Sequence, residues 1–385
     1  MKRPFLLRAT SPVPLVAAGA ALIAATYGLV RMAYGLFLPD VQADLGLDVA
    51  AAGIVSAGAS VVYCVGAVIG FLTAARHARA LVVAAAVAAS VGALGMAVAP
   101  VSLVFAVFAI ASSAGAGLAS PALVAVLQRD PGTARSPRVQ AIVNAGTGPG
   151  VVIAGTLALL LAPDWRLAWV IAAVVTVLAA AGVLVAGRGG AAAAAPRALP
   201  PPSWFVAHRR VLLAALLFGA GSAAVWTYGR TMLVESGTGS GASMAAWIAL
   251  GVGGTLVIVT ARCMERLEPP GAWIVTATVV AIATAGVLAG GAWALVTFAA
   301  FGWGYTAGSG VLIAWTARID ARRAAAGTAL LFVTLILGQA LGAAVVGGVT
   351  SAAGYPAAFG LAAAVSAAAI VPAAGPRTRM TRAER

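Results

Sequence analysis

The chain has 385 residues, of which 62% are apolar and only 9% charged, with a mean hydropathy of +1.03. That composition leaves too little polar surface to cover a water-soluble globule. The net charge of +14 would point to nucleic acid if it formed a face on a soluble domain, but it sits in short gaps between apolar runs, so no nucleic-acid partner is expected.

Apolar windows long enough to cross a bilayer fall at 13–38, 49–73, 80–99, 101–127, 139–162, 167–187, 211–234, 242–261, 271–290, 292–316, 325–350 and 355–374, which predicts twelve spans. Of the 24 basic residues, 21 lie in alternate gaps: before the first span, after each even-numbered one, and in the C-terminal tail. The opposite gaps hold Asp40, Asp44, Asp48, Asp164, Glu235 and one base, Arg166. The positive-inside rule makes the basic gaps cytoplasmic, and an even number of spans puts both termini there. The first span is too long for a signal peptide and lacks a convincing cleavage site, so it is read as a retained helix. The expected protein is all-α and multi-pass, with the lipid bilayer of the plasma (inner) membrane as its surroundings. Cys64 and Cys263 lie at different depths, so neither a disulfide nor a metal site is expected, and nothing calls for a cofactor.

Residues 188–210 form the one long low-complexity stretch between spans, with five consecutive alanines and Pro200-Pro201-Pro202. They read as a cytoplasmic linker between a six-helix bundle over 1–187 and another over 211–385. An internal repeat supports the division. At an offset of 193, Phe105, Phe108, Gly115, Gly117 and Arg129 fall on Phe298, Phe301, Gly308, Gly310 and Arg322; at 192, Gly146, Gly150 and Gly155 fall on Gly338, Gly342 and Gly347.

Two six-helix repeats about a linker is the layout of transporters that rock one half against the other. With Leu38-Pro39-Asp40, Asp44-Leu45-Gly46-Leu47, Trp165-Arg166 and Tyr355-Pro356-Ala357-Ala358-Phe359 at span ends, the chain resembles the major facilitator superfamily over nearly its whole length. That superfamily's signature after the second helix is matched by Gly70, Leu72 and Arg79, but Ala74 stands where the family has an aspartate. The resemblance implies a gate around Gly70, Arg76 and Arg79, with Glu265-Arg266 at the corresponding loop of the second half. It also implies that the first-half latch lacks its carboxylate. Gly146-Thr147-Gly148-Pro149-Gly150 partly matches a helix pattern of many exporters, although close packing is the plainer reading of its glycines.

Charge inside a span is costly, and two arginines stand out: Arg31 in the first span and Arg230 in the seventh. Tyr27, Arg31 and Tyr34 fall at i, i+4 and i+7, and Ser222, Trp226 and Arg230 form a similar stripe. If both arginines face one cavity, with Tyr27, Tyr34 and Trp226 shaping it, the site suits an organic anion held by bidentate hydrogen bonds. Such a pair resembles that of organic-anion antiporters within the superfamily. The alternative is that both are anchors, Arg31 reaching toward Asp40 and Arg230 toward Glu235. Asn144, Gln339, Trp303 and Tyr305 are further candidates for the pathway, each equally able to serve in packing.

No carboxylate lies deep in a span, so proton coupling is left open, with Asp40 and Glu235 at the outer ends as its candidates. The expected function is transport of a small organic solute, mildly favoured as an anion; efflux of hydrophobic or drug-like compounds is the chief alternative, and a non-transporting sensor a remote one. The spans hold no His-acid, Ser-His or metal cluster, so an enzyme is not expected.

Overall fold

The computed structural model describes residues 13–130, 133, 137–162, 164–187 and 200–374. Its architecture is helical, with ten helices long and apolar enough to cross a membrane. Two of them, Val49–Ala97 and Ala321–Ala374, run through two of the expected spans each. Each is interrupted by a single non-helical residue, His77 in the former and Gly354 in the latter. Gly354 has φ +81, a conformation that favours glycine, and Pro356 follows it where its missing N–H costs least. At the other break, Arg129 donates to the carbonyls of Ala74 (3.3 Å) and Ala75 (2.7 Å), satisfying groups that the interruption frees from the helix ladder.

Helix starts and stops follow local chemistry. Asp48 and Asp164 cap helices by accepting from Ala51 N (2.8 Å) and Leu167 N (3.1 Å), and Pro202 and Pro269 open helices where no N–H is needed. Gly46, at φ +64, closes the first long helix, its N–H bonded to Gln42 O.

The charges separate to two ends of the bundle. At one end Arg166 pairs with Asp44 and donates to Ala99 O (3.1 Å), tying together three connections of the first half. Arg230 pairs there with Asp40, and Tyr228 donates to Val49 O (2.6 Å), joining the two halves. The opposite end carries Arg79 on Gly187 O (2.9 Å), Arg318 paired with Glu268, and Arg210 on Pro372 O (2.7 Å). Large apolar side chains such as Leu72, Leu160 and Val185 point outward, as lipid-facing positions require.

Glycines bring the helices into backbone contact, and they do so in parallel ways in the two halves. A side chain at Gly146 would run into Ala20 O and one at Gly150 into the backbone of Ala24, so the fifth span lies directly on the first. Gly338 and Gly342 meet Leu216 O and the backbone of Ala220 by the same atoms, the eleventh span on the seventh. Gly155 faces Ile248 of the eighth span and Gly347 faces Gly53 of the second, both across to the other half. The match of Gly117 with Gly310 has no such counterpart: Gly117 packs on Tyr63 O, whereas Gly310 looks into open space.

These contacts rank the glycines. Gly342→Val is expected to destabilise the protein by about 1–3 kcal/mol or prevent its folding, since the obstruction is backbone. Gly348→Ala, where nothing lies within 4 Å, is expected to be neutral or slightly stabilising. Thermal unfolding of the detergent-purified variants checks both.

Candidate functional site

Arg31 sits in a π-helical stretch, Ala24–Met32, within the first long helix. Such wide turns commonly mark functional positions, and here the turn includes Gly28, whose backbone lies against Gly150. The wider winding splits the expected stripe. Tyr27 OH bonds to Tyr63 OH (2.9 Å), while Tyr34 donates to Ala52 O (2.9 Å) and stacks near Phe105. Between them, the guanidinium of Arg31 lies over the Tyr63 ring at 4.8 Å.

The other partners of Arg31 are neutral. Its Nη2 donates to Ser60 Oγ (3.4 Å) and Gln339 Oε1 (3.2 Å), Nη1 faces Met32 Sδ (3.9 Å), and Nε is buried without a partner. A guanidinium only donates, so Gln339 must offer it the amide oxygen, and that leaves Nε2 to donate to Tyr305 OH (3.0 Å). Tyr305 is held in turn by stacking on Phe218 and Phe301 and by the edge of Trp226. Arg31, Tyr34, Ser60, Trp226, Thr227 and Gln339 line a central cavity of about 40 Å³, room for roughly one or two waters. No carboxylate is among its described lining residues.

Arg230 does not reach this cavity, contrary to the expectation of two arginines facing one space. It is 1% exposed. Its Nε donates to Ser243 (3.2 Å), Nη2 to Ser240 (3.1 Å), and Nη1 to Leu36 O and the Asp40 carboxylate. The anchor reading also needs correction, because Asp40 is taken by Arg230 of the other half rather than by Arg31. The glycine contacts explain the mismatch. They set Ala20 against Leu216 and Ala24 against Ala220 as equivalents, an interval of 196 that puts Arg31 opposite Thr227. Arg230 lies three residues beyond, roughly 4–5 Å further along the helix.

Two further candidates lie elsewhere. Trp303 donates its indole N–H to Thr260 Oγ1 (2.8 Å), and Asn144 is exposed at the end of a short helix, Pro137–Asn144, before the chain bends into Thr147–Leu161. Residues not singled out from the sequence complete the centre. Ser56 and Thr227 share a hydrogen bond across the halves (2.9 Å), and the Cys64 thiol faces Val333 O (3.6 Å). Their only sequence signal is polarity inside a span, which isolated serines and threonines share with many helix-internal hydroxyls.

The profile described as Major Facilitator Superfamily matches residues 20–317. The chain belongs to the major facilitator superfamily. Members are membrane transporters of small solutes. No curated protein matches the chain by sequence. Among solved structures, it is similar to the nucleoside transporter NupG (14% identity, 94% of this chain and 97% of that one, TM-score 0.76). It is also similar to a D-xylose-proton symporter (14%, 96% and 98%, 0.75) and to a POT family transporter in complex with a thioalcohol-conjugated peptide (11%, 93% and 94%, 0.75). At these identities the likeness is one of fold.

In this superfamily member the signature loop is rebuilt. Gly70 backs onto the Pro121 ring, Arg76 is exposed beside the break, and Arg79 caps Gly187. Where the signature aspartate is replaced by Ala74, the Arg129 guanidinium holds the Ala74 and Ala75 carbonyls directly. The corresponding loop of the second half exposes Glu265 and Arg266, and its ion pair is made instead by Glu268 with Arg318.

Because Arg230 is buried and its carboxylate partner belongs to the other half, Arg230→Gln is expected to cost about 3–5 kcal/mol of stability. Asp40→Asn, which leaves a neutral acceptor in place and three protein partners to Arg230, is expected to cost less. Thermal unfolding of both variants and of the double variant measures the coupling; additive effects would show that the pair contributes nothing jointly.

Proposed function

We propose that this protein is a twelve-span carrier of a small organic anion that works by alternating access, with both termini and the linker in the cytoplasm of the plasma (inner) membrane. The twelve-span count follows from taking the helices broken at His77 and Gly354 as two crossings each. The orientation follows from the basic gaps at one end. The observation that carries the substrate reading is Arg31: a cation at the centre of the bundle whose partners are all neutral and whose Nε is unsatisfied. A half-buried charge without a counter-charge is costly, and an anionic ligand would offset it in the middle of the pathway.

Arg230 takes a different part in this reading. Its bond to Asp40 ties the first helix to the seventh at the acidic end, and it acts as a closure of that end rather than as a ligand contact. Efflux of cationic compounds would need an acidic cavity, which Arg31 opposes. With Asp40 committed to Arg230, coupling to protons through Asp40 would have to work through that closure, and Glu235 stays the other candidate.

Counterflow in proteoliposomes, with a panel of labelled monocarboxylates, dicarboxylates and phosphate monoesters, tests the assignment. Arg31→Gln is expected to lower anion exchange by roughly 10- to 100-fold, the loss of a charge-assisted contact. Arg31→Lys, which keeps the charge but loses the planar fork, is expected to retain a part of the activity. Equal activity of wild type and Arg31→Gln would remove the anion reading. For the topology, cysteine introduced at Asp44 is expected to react with an impermeant maleimide from outside intact cells. Cysteine at Ala194, which lies outside the described residues, is expected to be protected, and the reverse pattern would invert the protein.

A further inference from the structure

The central cavity offers more than one charge. Trp226, from the seventh span, lines it together with Arg31, and its indole N–H is buried with no partner, as is Arg31 Nε. Both residues occupy the seam between the halves, since Gly35, one turn beyond Arg31, lies against the Trp226 carbonyl. Two orphaned donors on residues that line one small space are costly to leave unmade, and a ligand rich in acceptor oxygen that reaches both relieves them together. Most of the lining serine hydroxyls are less available, Ser113 being the exception. Ser56 bonds to Thr227, Ser60 accepts from Arg31 and Ser112 is turned back onto Ala109 O.

Charge counting narrows the ligand further. Arg230 is neutralised by Asp40, so the cavity presents one unpaired positive charge. A monoanion cancels it. A dicarboxylate or a phosphate monoester, which carries about −1.5 to −2 at neutral pH, would leave uncompensated negative charge among apolar helices. The lining also has apolar members beside Tyr34, Ser113 and Gln339, among them Met32, Met96 and the Trp226 ring, and the two methionines can rearrange as the halves part to admit a larger group. An indole face favours a flat π-system by offset or edge packing over a flexible aliphatic chain.

Resting on the anion-carrier reading, we infer that the substrate is the monoanion of an aromatic or otherwise planar conjugated carboxylic acid. Its carboxylate lies on Arg31 within reach of the Trp226 N–H, and its ring packs in the apolar part of the cavity beside Trp226.

The test uses the full-length purified protein and four probes: benzoate, hexanoate, succinate and glucose 6-phosphate. Affinity is read from ligand-induced thermal shift, and the Trp226 contribution from the difference in tryptophan emission between wild type and Trp226→Phe. Benzoate is expected to bind roughly tenfold tighter than hexanoate and to change the emission, with the two multiply charged anions weaker still. Trp226→Phe, which keeps a ring but removes the donor, is expected to bind benzoate about fivefold more weakly and to lose the emission change. Hexanoate binding as tightly as benzoate, either multiply charged anion binding more tightly, or Trp226→Phe matching wild type in both readouts would overturn this inference and leave the anion carrier standing. Absence of binding by all four, together with no anion counterflow, would remove the carrier reading itself. If Trp226→Phe does not fold, the order of the four ligands on the wild type decides alone.

Discussion

Glycines let helix backbones meet at many points in this protein. In an apolar solvent, helices gain nothing from burying one more leucine, so association rests on van der Waals contact and on small residues that let chains touch. Here glycine meets carbonyl repeatedly: Gly150 at Ala24 and Gly342 at Ala220 inside the halves, Gly35 at Trp226 and Gly53 at Ala343 between them. Contacts inside a half hold each bundle as a unit. Those between halves use the same chemistry and hold the acidic end together, at Gly35 on Trp226 and Gly53 on Ala343. The Gly35 contact draws the first and seventh helices together there, and it brings Asp40 within reach of Arg230.

The buried Arg230 and the half-buried Arg31 show two ways of carrying a charge into such a bundle. Arg230 has a carboxylate, a carbonyl and two hydroxyls, and its charge is matched. Arg31 has hydrogen-bond partners without a counter-charge, and only the face of Tyr63 supplies further electrostatic relief. Neutral partners satisfy donors but do little for the field of an ion in a low-dielectric interior. A position of the first kind stabilises one arrangement of the halves. A position of the second kind is open to improvement by anything negative that enters.

The all-helical, membrane-spanning character of the chain was legible because hydropathy is summed over many residues, and single errors average out. Close-packed glycines at Gly146, Gly150, Gly338 and Gly342 were legible for the same reason, as a register repeated over several turns. The pairing of Arg31 with Arg230 rested instead on their places in the first and seventh spans, an interval of 199. Packing sets the interval at 196, and three residues is most of a helical turn. The stripe of Tyr27, Arg31 and Tyr34 assumed an α-helical period that the π-helical stretch Ala24–Met32 breaks. Asn144 does fall within the expected fifth span, which the structure bounds at Ile142–Leu161, at a bend between two helical pieces. The partnership of Asp40 with Arg230 joins residues 190 apart across the two halves, and no local pattern carries that information.

Gln339 ties these observations to movement. It belongs to the eleventh span and Arg31 to the first, so their hydrogen bond crosses from one half to the other at the level of the cavity. The guanidinium, which only donates, fixes which end of the amide faces it, Nε2 then donates to Tyr305 OH, and the aromatic rings of Phe218, Phe301 and Trp226 hold Tyr305. A ligand on Arg31 therefore competes with, or adds to, one of the bonds that cross between the halves. An anion that takes the guanidinium releases Gln339 Oε1 and must itself bridge to the second half if the cavity is to close around it. A solute without negative charge would have to displace the same bond while leaving Arg31 unmatched. In the proposed carrier, discrimination between solutes and closure of the cavity thus draw on one hydrogen bond, and the charge that selects the solute is the charge that couples it to the movement.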